Sequence, residues 1–159
     1  MRLISAGAQS QIPWIVVDLD GTICDCSHRV HWAQSKDWDR FHQGIPEDKI
    51  NEDVVAVLHT LARTYNVLVC TGRDERHRDA TEAWLREQRL DGLIDFMVMR
   101  PNNSRAPDGE LKIELIEQFF GNGEEAIKNV LIILEDRDPV VQALRDYGFK
   151  VWQVQAGAY

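Results

Sequence analysis

A short apolar run that ends in two aspartates constrains the fold of this chain more than any other feature of the sequence. Residues 15–17 are Ile-Val-Val, a run typical of a strand buried on both faces of a parallel sheet. Asp18 and Asp20 follow directly, with Leu19 between them. Ligands of open α/β folds bind at the carboxyl ends of the strands. The two carboxylates are therefore predicted to lie in an active site, and Gly21 allows the chain to turn away after them.

The two aspartates suit phosphoryl transfer. Asp18 is predicted to attack phosphorus while its other oxygen holds a divalent cation. Asp20 is predicted to protonate the leaving oxygen and then to deprotonate the attacking water. Carboxylates and glycine are also common at strand ends and turns, so this motif alone leaves a purely structural role open. Three later segments repeat the pattern of an apolar strand followed by polar residues. This repetition favours an active-site role for the two aspartates over a purely structural one.

Strands and helices alternate along the rest of the chain. The predicted strands cover residues 13–18, 67–70, 96–99, 130–134 and 151–154. Alternation of this kind predicts an α/β fold of the Rossmann-like class, with a five-stranded parallel sheet and helices on both faces. The length of 159 residues fits a single domain, residues 1–159.

Local sequence signals predict where helices begin and which of their residues are buried. Asn51, Asp108 and Asp138 are each predicted to cap the helix that follows them, and Pro139 stands at a first helical position. A helix over about 75–88 is predicted to bury three residues, Ala80, Ala83 and Trp84.

The segment from about residue 23 to 51 breaks the alternation and contains three histidines and two tryptophans. An insertion directly after the first strand is where a lid over an active site would lie. We predict a small cap there. The alternative is a packed connector in which Trp32 and Trp38 belong to the core.

Polar residues at the other strand ends suit phosphate. Thr71 offers a hydroxyl and Gly72 a backbone N–H for phosphoryl oxygens, and Arg73 adds a fork of donors. Lys112 would steady the attacking Asp18 and the charge that develops on phosphorus. Taken singly, Thr-Gly-Arg is also a common turn, and a helical lysine is more often a surface charge.

Asp136 completes a possible metal site. Together with Asp18 and the Asp20 carbonyl it offers hard oxygen ligands, which suit Mg²⁺ with waters in the remaining positions. The neighbouring Glu135 is predicted to support either Lys112 or those waters. A capping cluster for the next helix is the structural alternative for the Glu-Asp pair.

Composition excludes several classes of protein. The net charge of -8 argues against tight, sequence-independent binding to long nucleic acids. The longest apolar run, residues 130–134, is far too short to span a membrane, and a cytoplasmic location is expected. The three cysteines, Cys24, Cys26 and Cys70, lack zinc-site spacing and are expected to be reduced thiols.

The polar segments, taken together, resemble the four ordered motifs of the haloacid dehalogenase-like (HAD) phosphohydrolase superfamily. The motifs are Asp18-x-Asp20-Gly-Thr22, Thr71-Gly72-Arg73, Asp108-x-x-x-Lys112 and Glu135-Asp136. The last pair departs from the superfamily, in which two aspartates are usual. The resemblance implies a Mg²⁺-dependent phosphatase that works through an aspartyl-phosphate intermediate.

The C-terminal region contains Asp136-Arg137 followed by Val140-Val141, and then Val151-Trp152-Gln153-Val154 with Gly157. This region and the insertion are similar to the 3'-phosphatase domain of phage polynucleotide kinase. Arg29, eleven residues after Asp18, falls where that domain has a functional arginine. The resemblance implies that Arg29 and Arg73 contact substrate or phosphate. It also implies that Asp108 pairs with Lys112 in the third motif and belongs to the substrate-binding residues. The sequence contains no G-x-x-x-x-G-K-[ST] phosphate loop, so a free-standing phosphatase without the kinase half is expected.

The expected substrate is a phosphorylated nucleic-acid end or nucleotide, from which the 3'-phosphate is removed. Arginines near the predicted site agree with this: Arg29, Arg73, Arg76, Arg78, Arg100 and Arg105. A small-molecule phosphatase, such as a nucleotidase or a sugar phosphatase, is the alternative enzyme. A phosphate-binding or scaffold protein without turnover is the alternative outside the enzymes, although the intact Asp18 and Asp20 count against it. The oligomeric state stays open.

Overall fold

The computed structural model describes residues 12–157. The elements in chain order are β1 (Trp14–Val17), β2 (Cys24–Asp25), α1 (Val30–Gln34), α2 (Trp38–Gln43), β3 (Lys49–Ile50), α3 (Glu52–Leu61), β4 (Asn66–Asp74), α4 (Arg78–Glu87), β5 (Phe96–Arg100), α5 (Asp108–Phe120), α6 (Glu124–Asn129), β6 (Val130–Arg137), α7 (Asp138–Tyr147) and β7 (Val151–Gly157). Short 3-10 turns connect several of them.

The five long strands form one parallel sheet in the order β5-β4-β1-β6-β7. The predicted α/β fold with a five-stranded parallel sheet is confirmed. β1 is central, and Val17 at its end pairs in register with Val69 of β4 and Leu134 of β6. After β1 the chain first adds β4 and β5 on one side of this strand and then β6 and β7 on the other side. In open α/β sheets, ligands bind in the crevice that forms where the strand order reverses in this way.

Two apolar layers cover the two faces of the sheet. Side chains alternate along β1, so Trp14 and Val16 belong to one layer and Ile15 and Val17 to the other. Leu111, Leu115 and other residues of α5 and α7 complete the first layer, and residues of α3 and α4 complete the second. Helices on both faces explain why β1 is apolar without alternation.

The helix starts and one helix face differ in part from the prediction. Asn51 occupies the N-cap position of α3 as predicted, but its side chain donates to the Thr22 carbonyl (2.8 Å) and makes no cap hydrogen bond. Asp138 is the first residue of α7 and accepts from Gln153 (2.6 Å), so it is not the cap. In α4 the buried residues are Thr81, Trp84 and Leu85, whereas Ala83 is exposed.

Asp108 is likewise the first residue of α5, with Pro107 in the capping position. Its carboxylate accepts from Arg100 and Arg137 and makes no cap hydrogen bond. The predicted cap is therefore wrong, because two charged donors from β5 and β6 compete for the same carboxylate.

Residues 23–51, here called the cap segment, contain the helices α1 and α2 and the two-stranded antiparallel ribbon β2-β3. Ile23 and Ile45 anchor this segment in the core, whereas Trp38 is 52% exposed. Trp32 is half-buried. Neither tryptophan is therefore a fully buried core residue.

The three cysteines are free and buried. No helix within residues 12–157 has the length and apolar character required to cross a lipid bilayer.

Candidate active site

Asp18 stands at the centre of the carboxyl edge of the sheet. Its backbone N–H donates to the Leu134 carbonyl (3.1 Å), which holds it beside β6. From α5, Lys112 Nζ donates to Asp18 Oδ1 (2.6 Å) and to Glu135 Oε2 (2.5 Å). All three side chains are buried, so Lys112 is not the surface charge that helical lysines usually are. Among residues 12–157 no donor reaches Asp18 Oδ2, which leaves this oxygen available for a ligand.

A third buried carboxylate, Asp136, completes what we call the lysine cluster: Asp18, Lys112, Glu135 and Asp136. Oxygens of its three carboxylates lie within 4.8 Å of one another. Burial and the neighbouring Glu135 raise the pKa of Asp136 to about 7. Burial also raises the pKa of Asp18, and Lys112 only partly opposes the shift. The cluster thus holds more negative charge than its one ammonium group balances.

This excess negative charge fits a divalent cation. Both oxygens of Glu135 are engaged, Oε2 by Lys112 and Oε1 by the backbone N–H groups of Asp136 (3.1 Å) and Arg137 (3.2 Å). Asp136 Oδ2, in contrast, is buried and has no hydrogen-bond partner among residues 12–157. An uncompensated buried carboxylate oxygen is costly unless an ion or water meets it. Asp18 and Asp136 are therefore suited to hold Mg²⁺, which prefers carboxylate oxygens.

Asp20 points into a second group, which we call the arginine cluster: Asp20, Arg29, Asp48 and Arg73. Arg73 donates to both Asp20 oxygens (Nη2 to Oδ1, 2.6 Å; Nε to Oδ2, 3.0 Å), and Arg29 donates to Asp20 Oδ1. Asp48 accepts from Arg29 (2.7 and 2.6 Å) and from Arg73 (3.0 Å). Two carboxylates thus face two guanidinium groups.

The ion pairs in the arginine cluster outweigh burial. Burial alone would raise the pKa of Asp20, but Arg73 and Arg29 hold it well below its usual value. Asp20 also raises the pKa values of Arg29 and Arg73 against the effect of burial. Asp20 is therefore ionised in this arrangement, and both arginines are charged.

Asp48 is a central residue that the sequence analysis missed. It is almost fully buried, receives the two arginines and also contacts His28 Nε2 (3.0 Å). Its backbone carbonyl accepts from Trp84 Nε1 (2.9 Å) of α4. Asp48 thus joins the cap segment to the body of the domain. No local motif marks it, because its partners lie far away along the chain.

The Thr71-Gly72-Arg73 motif lies at the bend of β4. Thr71 is buried, and its hydroxyl accepts from the Arg73 backbone N–H (3.2 Å). The Gly72 carbonyl accepts from Arg100 Nε (3.0 Å). A Cβ atom at Gly72 would lie 3.1 Å from Asp108 Oδ1, tighter than ordinary packing. Glycine therefore allows Asp108 to approach the strand end.

Asp108 lies between two arginines. Arg100 from β5 and Arg137 from the end of β6 each donate to one of its oxygens. Both arginines line the same cavity as Asp108. Arg137 directly follows the fourth motif, and the sequence analysis gave it no role in the site. Asp108 orients these cations in the structure, whereas the sequence analysis expected it to contact substrate.

A cavity of about 1000 Å³ opens above these residues. Six of the predicted site residues line it: Asp18, Asp20, Gly72, Arg73, Asp108 and Lys112. Four other predicted site residues do not contribute to its wall among the residues that the structure describes: Arg29, Thr71, Glu135 and Asp136. Arg29 lies behind Asp20, and its guanidinium group also covers the ring of Phe41 (4.1 Å to the centroid). The structure thus brings the motif residues together but places Arg29 one layer away from the cavity.

A comparison with protein-family models identifies a family for this chain. The model of the polynucleotide kinase PNKP phosphatase domain matches residues 13–159. No match was found among curated proteins.

Solved structures extend the likeness. A structure of the Pnkp1/Rnl/Hen1 RNA repair complex contains a chain 26% identical over 97% of this chain and 46% of its own length, with a TM-score of 0.74. A second structure of the Pnkp1/Rnl/Hen1 complex contains a chain 27% identical over 95% of this chain and 49% of its own length, with a TM-score of 0.72. The present chain thus spans about half of those chains. A haloacid dehalogenase-like hydrolase from Streptococcus pneumoniae is 16% identical over 89% of this chain and 84% of its own, with a TM-score of 0.67, and shares the fold.

Proposed function

This chain belongs to the family of polynucleotide kinase PNKP phosphatase domains, within the HAD superfamily, and on that premise we propose that it removes 3'-phosphates from nucleic-acid ends. It is a phosphatase of this superfamily. The observation that carries the finer proposal is Asp18, which lines the cavity with one oxygen bound by Lys112 and the other free of protein donors within residues 12–157. The similarity to a chain from an RNA repair complex supports a nucleic-acid end as substrate.

In the proposed reaction, Asp18 Oδ2 attacks phosphorus and forms a bond to it while the bond from phosphorus to the 3'-oxygen breaks. Asp20 gives a proton to that leaving oxygen. Water then attacks phosphorus, Asp20 takes a proton from the water, and the bond between phosphorus and Asp18 breaks to release inorganic phosphate. Lys112 holds Asp18 in place and offsets charge on the phosphoryl oxygens.

In the arrangement seen in the structure, Asp20 is suited to take a proton from water, which is the second of its two proposed roles. An ionised carboxylate accepts a proton from water, but it cannot donate one. Because Arg29 and Arg73 favour the ionised form, donation requires Asp20 to turn from the arginines toward the cavity that it lines. The proposal therefore includes movement of this side chain during each turnover.

Mg²⁺ is the proposed cofactor, held by Asp18 and Asp136 with the Asp20 carbonyl, and when bound it would neutralise charge on the phosphoryl group. Asp136 Oδ2, which is buried and has no hydrogen-bond partner within residues 12–157, supports this assignment. Glu135 serves the site through Lys112.

The test is phosphate release, with Mg²⁺, from matched 3'- and 5'-phosphorylated oligonucleotides and from 3'- and 5'-mononucleotides. Asp18→Asn serves as the blank, because it keeps the shape of the side chain and removes the nucleophile. Preference for the 3'-phosphorylated oligonucleotide is expected. Preference for mononucleotides would instead assign a small-molecule phosphatase, and no release from any substrate would favour a binding protein.

A further inference from the structure

The cavity is much larger than a phosphoryl group requires. Its volume of about 1000 Å³ lies at the upper end of the range that holds whole small molecules, roughly 300–1,000 Å³. Asp18 and Lys112 occupy only one part of the wall. The cap segment and the loop at residues 103–107 supply much of the rest. These outer walls are available to the part of the substrate that carries the phosphate.

Trp38 is the prominent apolar group on the cap side of the cavity. It is 52% exposed and lines the cavity. Its position is nevertheless fixed, because its ring meets Phe41 edge to face (centroids 5.9 Å, 86°) and its carbonyl accepts from His42 Nδ1 (2.7 Å). A large aromatic face that is exposed and held in place is suited to stack a planar ligand.

Trp32 provides the contrast within the same segment. It is half-buried, is covered by the Arg40 guanidinium group (4.7 Å from its ring) and lies outside the cavity wall as described. The two tryptophans therefore differ in their access to a ligand.

The cavity is also more basic than the chain as a whole. Seven lysine and arginine side chains line it against four aspartates, while the chain carries a net charge of -8. Two of these cations, Lys36 from the cap segment and Arg105 from the facing loop, are exposed and have no ion-pair partner among residues 12–157. Uncompensated positive charge on both sides of a cavity suits a phosphodiester.

We propose that Trp38 stacks the terminal base of a single-stranded, 3'-phosphorylated end while Lys36 and Arg105 bind the adjoining phosphodiester. The inference rests on the proposed function and names the form of its substrate. An unpaired end is proposed, because a base that is not held in a duplex is free to stack on an aromatic side chain.

The first arm of the test compares two oligonucleotides that differ only at the end: one with a normal 3'-terminal nucleotide and one with an abasic 3'-phosphate. In wild type the terminal base should raise kcat/KM. Trp38→Ala should reduce that advantage about 5- to 150-fold, the range found for loss of one stacked base. Trp38→Phe should restore most of it, and Trp32→Ala should retain the wild-type ratio. An unchanged ratio in Trp38→Ala would remove the tryptophan from base recognition.

The second arm measures kcat/KM on the base-bearing oligonucleotide as a function of salt. Lys36→Ala and Arg105→Ala should each make the plot of log kcat/KM against log salt shallower by about 0.7, the value for one phosphate contact on a single strand. Lys128→Ala is the matched control and should keep the wild-type slope, because Lys128 is exposed on α6 and lies outside the cavity. Slopes equal to wild type in both cavity variants would overturn the phosphodiester site.

Failure of the inference differs from failure of the proposed function. If wild type prefers 3'-phosphorylated oligonucleotides and gains nothing from the terminal base, only the inference is wrong. If wild type hydrolyses glycerol phosphate better than any oligonucleotide, the proposed function is wrong and the inference falls with it.

Discussion

The lysine cluster and the arginine cluster consist of the same kinds of buried groups but differ in charge balance. In the lysine cluster, three carboxylates face one ammonium group, and Asp136 Oδ2 has no partner within residues 12–157. In the arginine cluster, two carboxylates face two guanidinium groups, and Asp48 receives donors from both. The two clusters start from aspartates only two residues apart.

The difference separates two tasks. Removal of one member of a balanced, hydrogen-bonded group destabilises the fold, because it leaves a buried charge without a partner. An unbalanced group costs stability until a cation or substrate supplies the missing charge. The lysine cluster therefore suits binding and chemistry, whereas the arginine cluster suits the support of Asp20 and the attachment of the cap segment.

Replacement of the proposed nucleophile should give the largest effect. Asp18→Asn is expected to lower kcat by about 10⁴-fold or more, the scale seen when a nucleophile is removed. Its free energy of unfolding should stay the same or rise slightly, because the substitution removes a charge from the unbalanced cluster. Phosphate release and urea unfolding measure the two quantities.

Asp138→Asn is the matched control for that variant. Asp138 is an exposed carboxylate just beyond β6 and lies outside the lysine cluster. The Asp138→Asn variant should retain wild-type activity. Clear turnover in a pure Asp18→Asn sample would transfer the nucleophilic role to another residue.

The balanced cluster should respond to a similar change through stability. Asp48→Asn leaves Arg29 and Arg73 with one carboxylate, and we expect the free energy of unfolding to fall by roughly 3–5 kcal/mol. Asp39→Asn, an exposed change in the same cap segment, should have almost no effect. A loss below about 0.5 kcal/mol in Asp48→Asn would show that the arginines do not depend on Asp48.

Much of this architecture follows from local sequence signals. The apolar run before Asp18 and the run at residues 130–134 predicted the central strands correctly, because burial on both faces demands such runs. The family resemblance, based on four motifs in order, is confirmed by the match over residues 13–159. The motif side chains gather at one edge of the sheet because the carboxyl ends of parallel strands all lie at that edge.

The failures that the structure explains involve partners from other elements of the fold, which the local signal of a helix does not contain. Asp108 was predicted to cap a helix, but arginines from two other strands bind it. In α4 the alanines were assigned to the core and Thr81 was not. Thr81 is buried because its hydroxyl accepts from Arg73 Nη1 (3.3 Å), which removes the cost of burying it. Asp48 carries no local signal at all.

Addition of Mg²⁺ should reduce the imbalance of the lysine cluster. At free Mg²⁺ of about 100 times its Kd, the wild-type free energy of unfolding should rise by about 2.7 kcal/mol. Asp136→Asn should lose most of this gain, whereas Asp138→Asn should keep it. EDTA should stop phosphate release, and added Mg²⁺ should restore it. An equal stabilisation of wild type and Asp136→Asn by Mg²⁺ would place the ion elsewhere.

The smallest expected effect concerns His42, which lies beside the arginine cluster and stacks on His77 (centroids 4.3 Å, 12°). Burial and His77 lower the pKa of His42 to about 4, although Asp20 opposes the shift. Its Nδ1 donates to the Trp38 carbonyl, because a carbonyl can only accept. Protonation would add a positive charge next to a cluster whose charges are already balanced.

The sign of the pH dependence follows from this lowered pKa. Between about pH 6.5 and 4 the unfolded chain binds a proton at His42 that the folded chain does not, so stability falls as the pH falls. The contribution at pH 5 is about 2 kcal/mol relative to pH 7. His42→Gln should lose correspondingly less stability between pH 7 and pH 5 in urea unfolding, whereas His59→Gln, on the exposed face of α3, should follow wild type. The same loss in His42→Gln as in wild type would assign the acid sensitivity to other groups. A smaller loss would assign part of the acid sensitivity to the burial of His42 beside His77.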